Sequence, residues 1–260
     1  LDVVLKAKKI RSELERFSLP TIKLFPKAEK AEHAWSTKFG GKPYWPKGKT
    51  YPVSDDGAKL ILLAQLNFDE LPKLDQYPES GILQFFIEGD DIYGMDFDRP
   101  IKEVISSPSG YRVIYHPDFE RNELHLENDL PEANDESYLP ASREYRIECT
   151  LDKEVPSPTD YRYEMYASDP LEYEEDLAEY VYDTFSAEGS KIGGYANFTQ
   201  EDPRVSEEKD NWLLLFQMDS EFLGENQIMW GDMGVGNFFI EREALKNRDF
   251  SRVWYNWDCC

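Results

Sequence analysis

Apolar positions along this chain fall into two kinds of run. Val4, Leu5, Ala7, Ile10, Leu14 and Phe17 recur near helical spacing, with Lys6, Lys8, Lys9 and Arg11 between them. That pattern predicts an amphipathic helix over residues 1–17. Leu171, Leu177, Val181 and Phe185 form a similar stripe with acids opposite, predicting a helix over residues 171–185. Elsewhere the apolar runs are short and unbroken. Residues 60–68 are closed by Asp69, Glu70 and Pro72 and suit a buried strand, although periodicity alone leaves a buried helical segment open. Residues 81–87 are aromatic and branched and open on a Pro-Glu-Ser-Gly turn, predicting a second strand. Residues 21–25, 111–115, 144–151 and 252–257 are further strand candidates.

These strands recur at a fixed spacing. Lys38-Phe39-Gly40-Gly41 returns 153 positions later as Lys191-Ile192-Gly193-Gly194. Gly81 to Glu88 returns as Gly234 to Glu241, and Asp96-Phe97 as Asp249-Phe250, at the same spacing. Leu60 to Leu63 faces Leu213 to Phe216, and Gln65 faces Gln217 one residue out of step. We read an internal duplication, too long in period for a solenoid. The expectation is one α+β domain over residues 1–260, built from two similar β-rich halves packed pseudo-symmetrically. Copy one spans 35–106 and copy two 188–260. An acidic helix-and-strand insertion separates them at 107–187, with a polar loop near 128–137 and a helical lead-in ahead of copy one.

Charge alters the picture more than composition does. The chain carries 52 Asp/Glu against 29 Lys/Arg, a formal net of −23. Residues 1–49 hold twelve basic against five acidic side chains, while residues 118–185 hold five against twenty-one. Such a surface repels phosphate backbones, so no nucleic-acid partner is expected. It would steer a basic protein partner, or simply solvate the fold. No apolar stretch is long enough to span a membrane, and lysines interrupt the first residues where a signal peptide would be apolar. Three cysteines, Cys149, Cys259 and Cys260, lack framework spacing. Together these point to the cytoplasm.

Three segments carry a family resemblance: residues 39–46 (Phe-Gly-Gly-Lys-Pro-Tyr-Trp-Pro), residues 63–67 (Leu-Ala-Gln-Leu-Asn) and residues 81–86 (Gly-Ile-Leu-Gln-Phe-Phe). With residues 231–240, 249–251 and 257–259, they resemble the YwqG-like family, a domain of unknown function. The resemblance runs from about Lys38 onward. It implies a soluble, mostly bacterial α+β protein with no assigned catalytic residues, sometimes suggested to sit near toxin–immunity loci.

Candidate chemistry is sparse. Gly40-Gly41 followed by Tyr44 and Trp45 is either a ligand groove with an aromatic wall or a turn packed beneath Trp45. Asp96 and Asp249, and Glu79 and Asp232, match between the copies. Paired carboxylates near a pseudo-twofold could act as acid and base or hold a hard cation, but the spacing is not that of a calcium loop, and loop aspartates commonly cap turns. Glu172 and Glu175 head the acidic helix as candidate partner contacts. His33, His116 and His125 form no ligand pair, so neither a metal nor another cofactor is expected. Gln65 and Gln217, inside apolar strands, need partners if enclosed. The expectation is a non-enzymatic interaction or regulatory protein, immunity-like, binding a basic partner. The alternative is an enzyme or small-ligand binder using a carboxylate- and aromatic-lined cleft between the copies.

Overall fold

The computed structural model describes residues 2–133, 138–206 and 211–260. Among these residues twelve strands form in chain order. They are β1 (Leu19–Lys27), β2 (Lys38–Phe39), β3 (Ile61–Asn67), β4 (Ile82–Ile87), β5 (Tyr111–His116) and β6 (Tyr145–Glu154), then β7 (Lys191–Gly193), β8 (Trp212–Asp219), β9 (Glu221–Leu223), β10 (Asn226–Ile228), β11 (Val235–Glu241) and β12 (Val253–Asp258). Four α-helices accompany them among the described residues: α1 (Asp2–Leu14), α2 (Ile101–Ser106), α3 (Glu175–Thr184) and α4 (Arg242–Lys246). The fold is thus α+β and dominated by sheet. Ten strands make one antiparallel sheet in the order β12-β11-β8-β7-β1-β6-β2-β3-β4-β5, and β9 and β10 form a separate ribbon.

The sheet curls until its two ends nearly meet. Tyr111 on β5 donates its hydroxyl to the Val253 carbonyl on β12 at 2.7 Å. Inside the curl, Phe85 lies 4.6 Å from Phe216 and 4.8 Å from Phe238, ring centre to ring centre. This interior explains why β3 and β4 are buried along almost their whole length rather than alternating. Their inward residues fill the curl, while outward Leu62 and Phe86 pack beneath Trp45 and Leu60. On the other half Phe239, Leu214 and Trp254 do the same beneath Phe198 and Trp212.

Similar ladders recur in the two halves, β4 and β11 being 153 positions apart but β3 and β8 only 152, so Leu62 and Leu63 correspond to Leu214 and Leu215 and not, as the even spacing suggested, to Leu215 and Phe216. Leu62 pairs with Phe86 and Ala64 with Phe85, leaving Leu63 in a bulge; Leu214 pairs with Phe239 and Phe216 with Phe238, leaving Leu215 in the same place. Lys38 pairs with Gln65 as Lys191 pairs with Gln217.

Some expectations need correction. The stretch from 107 to 187, expected as an insertion between the copies, supplies two strands of the main sheet. Within it, β5 forms one end of the sheet and β6 its middle, paired to β1 from Leu19↔Glu154 to Lys27↔Arg146. Its outward face is exposed and polar, at Glu148, Thr150 and Asp152 among others, which hid a central strand behind an acidic composition. Leu5 does not share the buried face of α1 and is 60% exposed; Ala7 and Leu14 are buried there against Leu177 and Val181 of α3. The second helix starts later than its apolar stripe suggested, because Pro170–Glu172 forms a separate 3-10 turn. Of the polar loop near 128–137, residues 134–137 lie outside the described residues. No described helix is long and apolar enough to cross a membrane.

Candidate functional site

The two Gly-Gly loops end β2 and β7 and require glycine. Gly40, Gly41, Gly193 and Gly194 all have φ between +62° and +76°, a region that penalises a Cβ by roughly 1–2 kcal/mol. Space is also lacking. A Cβ on Gly40 would lie 2.2 Å from the Arg143 carbonyl oxygen, and one on Gly194 would lie 2.4 Å from Glu154 Oε2. Each loop presses on a glutamate that pairs with the lysine opening its strand. Glu144 pairs with Lys38, and Glu154 with Lys191.

Next to each loop a buried amide ties strand to loop. Gln65 accepts from Tyr44 N and donates to the Ala34 and Ser36 carbonyls; Gln217 accepts from Asn197 N and donates to those of Ala187 and Gly189. Every one of these partners is 153 positions from its counterpart. The amides are therefore satisfied within their own halves, by backbone and, for Gln65 Oε1, also by Gln84 Nε2, and not by each other.

The sequence-based site residues do not converge. Tyr44 and Trp45 are each 2% exposed. The Trp45 indole donates to the Lys49 carbonyl, and the Tyr44 hydroxyl accepts from Glu120 N. They are core, not the wall of an open groove, because β4 and His116 lie directly beneath them. Asp96 accepts from Asp98 N, Arg99 N and Arg99 Nε, and the last bond holds its carboxyl below the usual range. Asp249 accepts from the Ser251 amide and hydroxyl, which lower it likewise. Glu79 pairs with Lys73 at the surface, and Asp232 is exposed, its carbonyl accepting from Cys260 N. No hydrogen bond or ion pair joins any of the four to another among the described residues. Glu172 and Glu175 are exposed, on the 3-10 turn and at the start of α3 respectively.

What the sequence reading missed is a buried charge network beside Gly193-Gly194. Asp160 and Arg204 are both fully enclosed, and Asp202 nearly so. Arg204 donates Nε and Nη2 to Asp202, Nη2 to Asp160 at 2.8 Å, and Nη1 to the Trp212 carbonyl. Arg162 donates Nε and Nη2 to Asp160 at 2.8 and 2.7 Å. Burial alone would raise the Asp160 carboxyl, but the Arg204 and Arg162 charges and the Ala196 amide outweigh it and hold it far below the usual range. Glu154 and Lys191 adjoin the network through Tyr195, whose amide Glu154 accepts and whose ring lies 4.4 Å beneath Arg162. A signal for the network was present: Asp160-Tyr161-Arg162 and Asp202-Pro203-Arg204 are two Asp-x-Arg steps. Each aspartate accepts both the backbone amide and the Nε of its own arginine.

Above this network lies a cleft of about 320 Å³. Arg16, Arg162 and Arg242 line it, with the rings of Phe17, Tyr161, Tyr166, Tyr195 and Trp212, and no carboxylate joins them among the described residues. Arg162 is fixed by Asp160, whereas Arg16 and Arg242 are exposed and have no ion-pair partner among the described residues. A second hollow shares Arg162, Arg242 and Leu213 with it and runs past Gly193-Gly194 to Leu74–Tyr77, in the other half of the chain. Tyr77 bridges that seam, donating to the Leu214 carbonyl. The hollow that spans the two halves carries Asp75 beside Arg162 and Arg242, and a neighbouring one brings Asp75, Tyr77 and Glu79 of the first half against Arg242, Glu243 and Arg248 of the second. In the first cleft, guanidinium groups that can fork onto an anion stand beside rings that can stack on a planar group.

A family model described as a domain of unknown function, DUF1963, matches residues 37–259. The chain belongs to this family. The DUF1963 match takes in both Gly-Gly loops, the buried network and most of the cleft, while Arg16 and Phe17 lie outside it. No curated protein matches the chain.

Proposed function

We propose that this DUF1963 protein is a non-enzymatic binding protein that takes a small organic anion bearing a flat ring into the arginine cleft. One observation carries the reading. Three arginines and five aromatic rings meet at a single hollow in a chain whose formal net charge is −23. The overall field opposes anions, so recognition would rest on short-range, directional contacts. Guanidinium forks grip carboxylates and phosphates, and aromatic walls hold a planar ring. The size falls within the range of ordinary ligand pockets.

Isothermal titration with benzoate and phenyl phosphate tests this, with benzyl alcohol as the neutral control. Saturable binding of the anions alone is expected. Arg16→Ala/Arg242→Ala should weaken it by about tenfold or more, since a hydrogen bond to a charged group contributes roughly 1.5–3 kcal/mol. Neither arginine has an ion-pair partner among the described residues, so folding should be little affected. Binding indifferent to this pair, or no binding of either anion, would refute the reading.

We further propose that the two halves descend from one duplicated unit of the YwqG-like kind. The common bulge at Leu63 and Leu215 and the common bonding of Gln65 and Gln217 support it. A second reading, capture of a basic protein partner, is favoured by the exposed carboxylates of Glu172, Glu174, Glu175 and Glu179 around α3.

A further inference from the structure

Matching positions on β2 and β7 hold two buried lysines in different states. Lys191 is fully buried and donates three bonds: two to Glu154 at 2.8 and 2.9 Å, and one to the Ala187 carbonyl at 2.6 Å. All three of its protons are used. Lys38 is almost as enclosed, its side chain 4% exposed, yet among the described residues its ammonium makes one bond, to Glu144 Oε2 at 3.4 Å. Ala34, the counterpart of Ala187, gives its carbonyl to Gln65 and not to Lys38. Burial lowers both ammonium groups against the pull of their glutamates. The difference lies in saturation and access. Lys38 and Glu144 line a cavity of about 340 Å³.

The geometry points to Lys38 as an amine that condenses with small neutral aldehydes or ketones entering the cavity beside Gly40-Gly41. The Nζ lone pair attacks the carbonyl carbon and forms the C–N bond. Glu144, whose Oε1 is anchored by the Ala31 amide at 2.8 Å, relays the two nitrogen protons in turn, the first to the carbonyl oxygen to give the hydroxyl and the second to that hydroxyl as it departs as water. Amine and carbonyl compound become imine and water, with no change of oxidation state. The carbonyl compound should be neutral, because Glu32, Glu123, Glu127 and Glu144 outnumber Lys38 and Lys42 around the cavity.

Lys191 is a built-in control. The full chain would be treated with propionaldehyde and sodium cyanoborohydride near neutral pH, and the reduced adducts mapped by peptide mass. Lys38 should be modified several-fold faster than exposed Lys73, because the cavity delivers the aldehyde to an amine whose burial favours the uncharged form, while Lys191 stays unmodified. Glu144→Gln should slow Lys38 and leave Lys73 unchanged. Modification of Lys38 no faster than Lys73, its appearance only together with Lys191, or a rate unaffected by Glu144→Gln would each overturn the proposal.

Discussion

Replacing Asp160 with asparagine leaves the side chain's shape nearly intact and removes the charge that two guanidiniums share. In the native fold Asp160 accepts from Arg162 N, Nε and Nη2, from Arg204 Nη2 and from the Ala196 amide, at 2.7–3.1 Å. An asparagine keeps one acceptor oxygen, but its NH2 group must face arginine donors. Arg204 is completely buried and the Arg162 side chain only 13% exposed, so solvent cannot replace the missing carboxylate. Removing one partner from a buried pair costs about 3–5 kcal/mol. The retained oxygen and Asp202 place Asp160→Asn near the lower figure. Urea unfolding followed by tryptophan fluorescence would measure it, with Trp212 reporting directly because its carbonyl accepts from Arg204. At an m-value of roughly 3 kcal/mol/M, the midpoint should fall by about 1 M. Asp96→Asn, at a half-exposed loop pair, should cost no more than about 1 kcal/mol. Equal midpoints for the two variants would refute the placement of the charge network at the centre of the fold's stability. The native Asp160 pKa lies below its unfolded value, so its contribution is complete above about pH 4 and is lost as the pH falls through the native value.

Other substitutions probe other parts. His116 accepts from Lys49 Nζ at Nδ1 and donates Nε2–H to Gln84 Oε1, and burial together with Lys49 pushes it down to about 4. The unfolded chain takes up that proton at about pH 6.5, so stability should decline between about pH 6.5 and 4, by at most about 3 kcal/mol, and His116→Gln should flatten that part of a stability–pH profile. Gly194→Ala drives a Cβ into Glu154 and should lower the melting temperature far more than Gly48→Ala, where a Cβ meets nothing within 4 Å and only the positive φ is penalised. Reversing Glu172, Glu175 and Glu179 to Lys should change stability by about 1 kcal/mol or less per site in chemical denaturation; were a basic partner in hand, stopped-flow association should slow markedly and lose its salt dependence.

Much of the sheet was legible in the chain. Residues 60–68 and 81–87 declared themselves because both faces of β3 and β4 are buried, which writes an unbroken apolar run. Strand β6 was legible only as a strand, not as the middle of the sheet. Its outward side chains are charged, and its partner β1 lies more than a hundred residues away in sequence. The candidate site was legible least. Pairing Asp96 with Asp249 by their common spacing found two equivalent turn caps, since position in a repeat carries no information about proximity. The arginine cleft draws on Arg16, Arg162 and Arg242, which are dispersed in sequence and brought together only when the 3-10 turn after α1, the loop after β6 and α4 meet over β8.

The middle of the sheet has a consequence for how the chain is made. Strand β1 ends at Lys27, and its neighbours β6 and β7 begin only at Tyr145 and Lys191. At ribosomal rates of about 5–20 residues per second, β1 emerges on the order of ten seconds before either neighbour exists. During that interval it is an extended apolar segment with both edges open to pairing with other nascent chains. Pro20 and Pro26 stand near its two ends and withhold a backbone donor at each. The final sheet tolerates them, and the waiting strand is shortened as a template for aggregation.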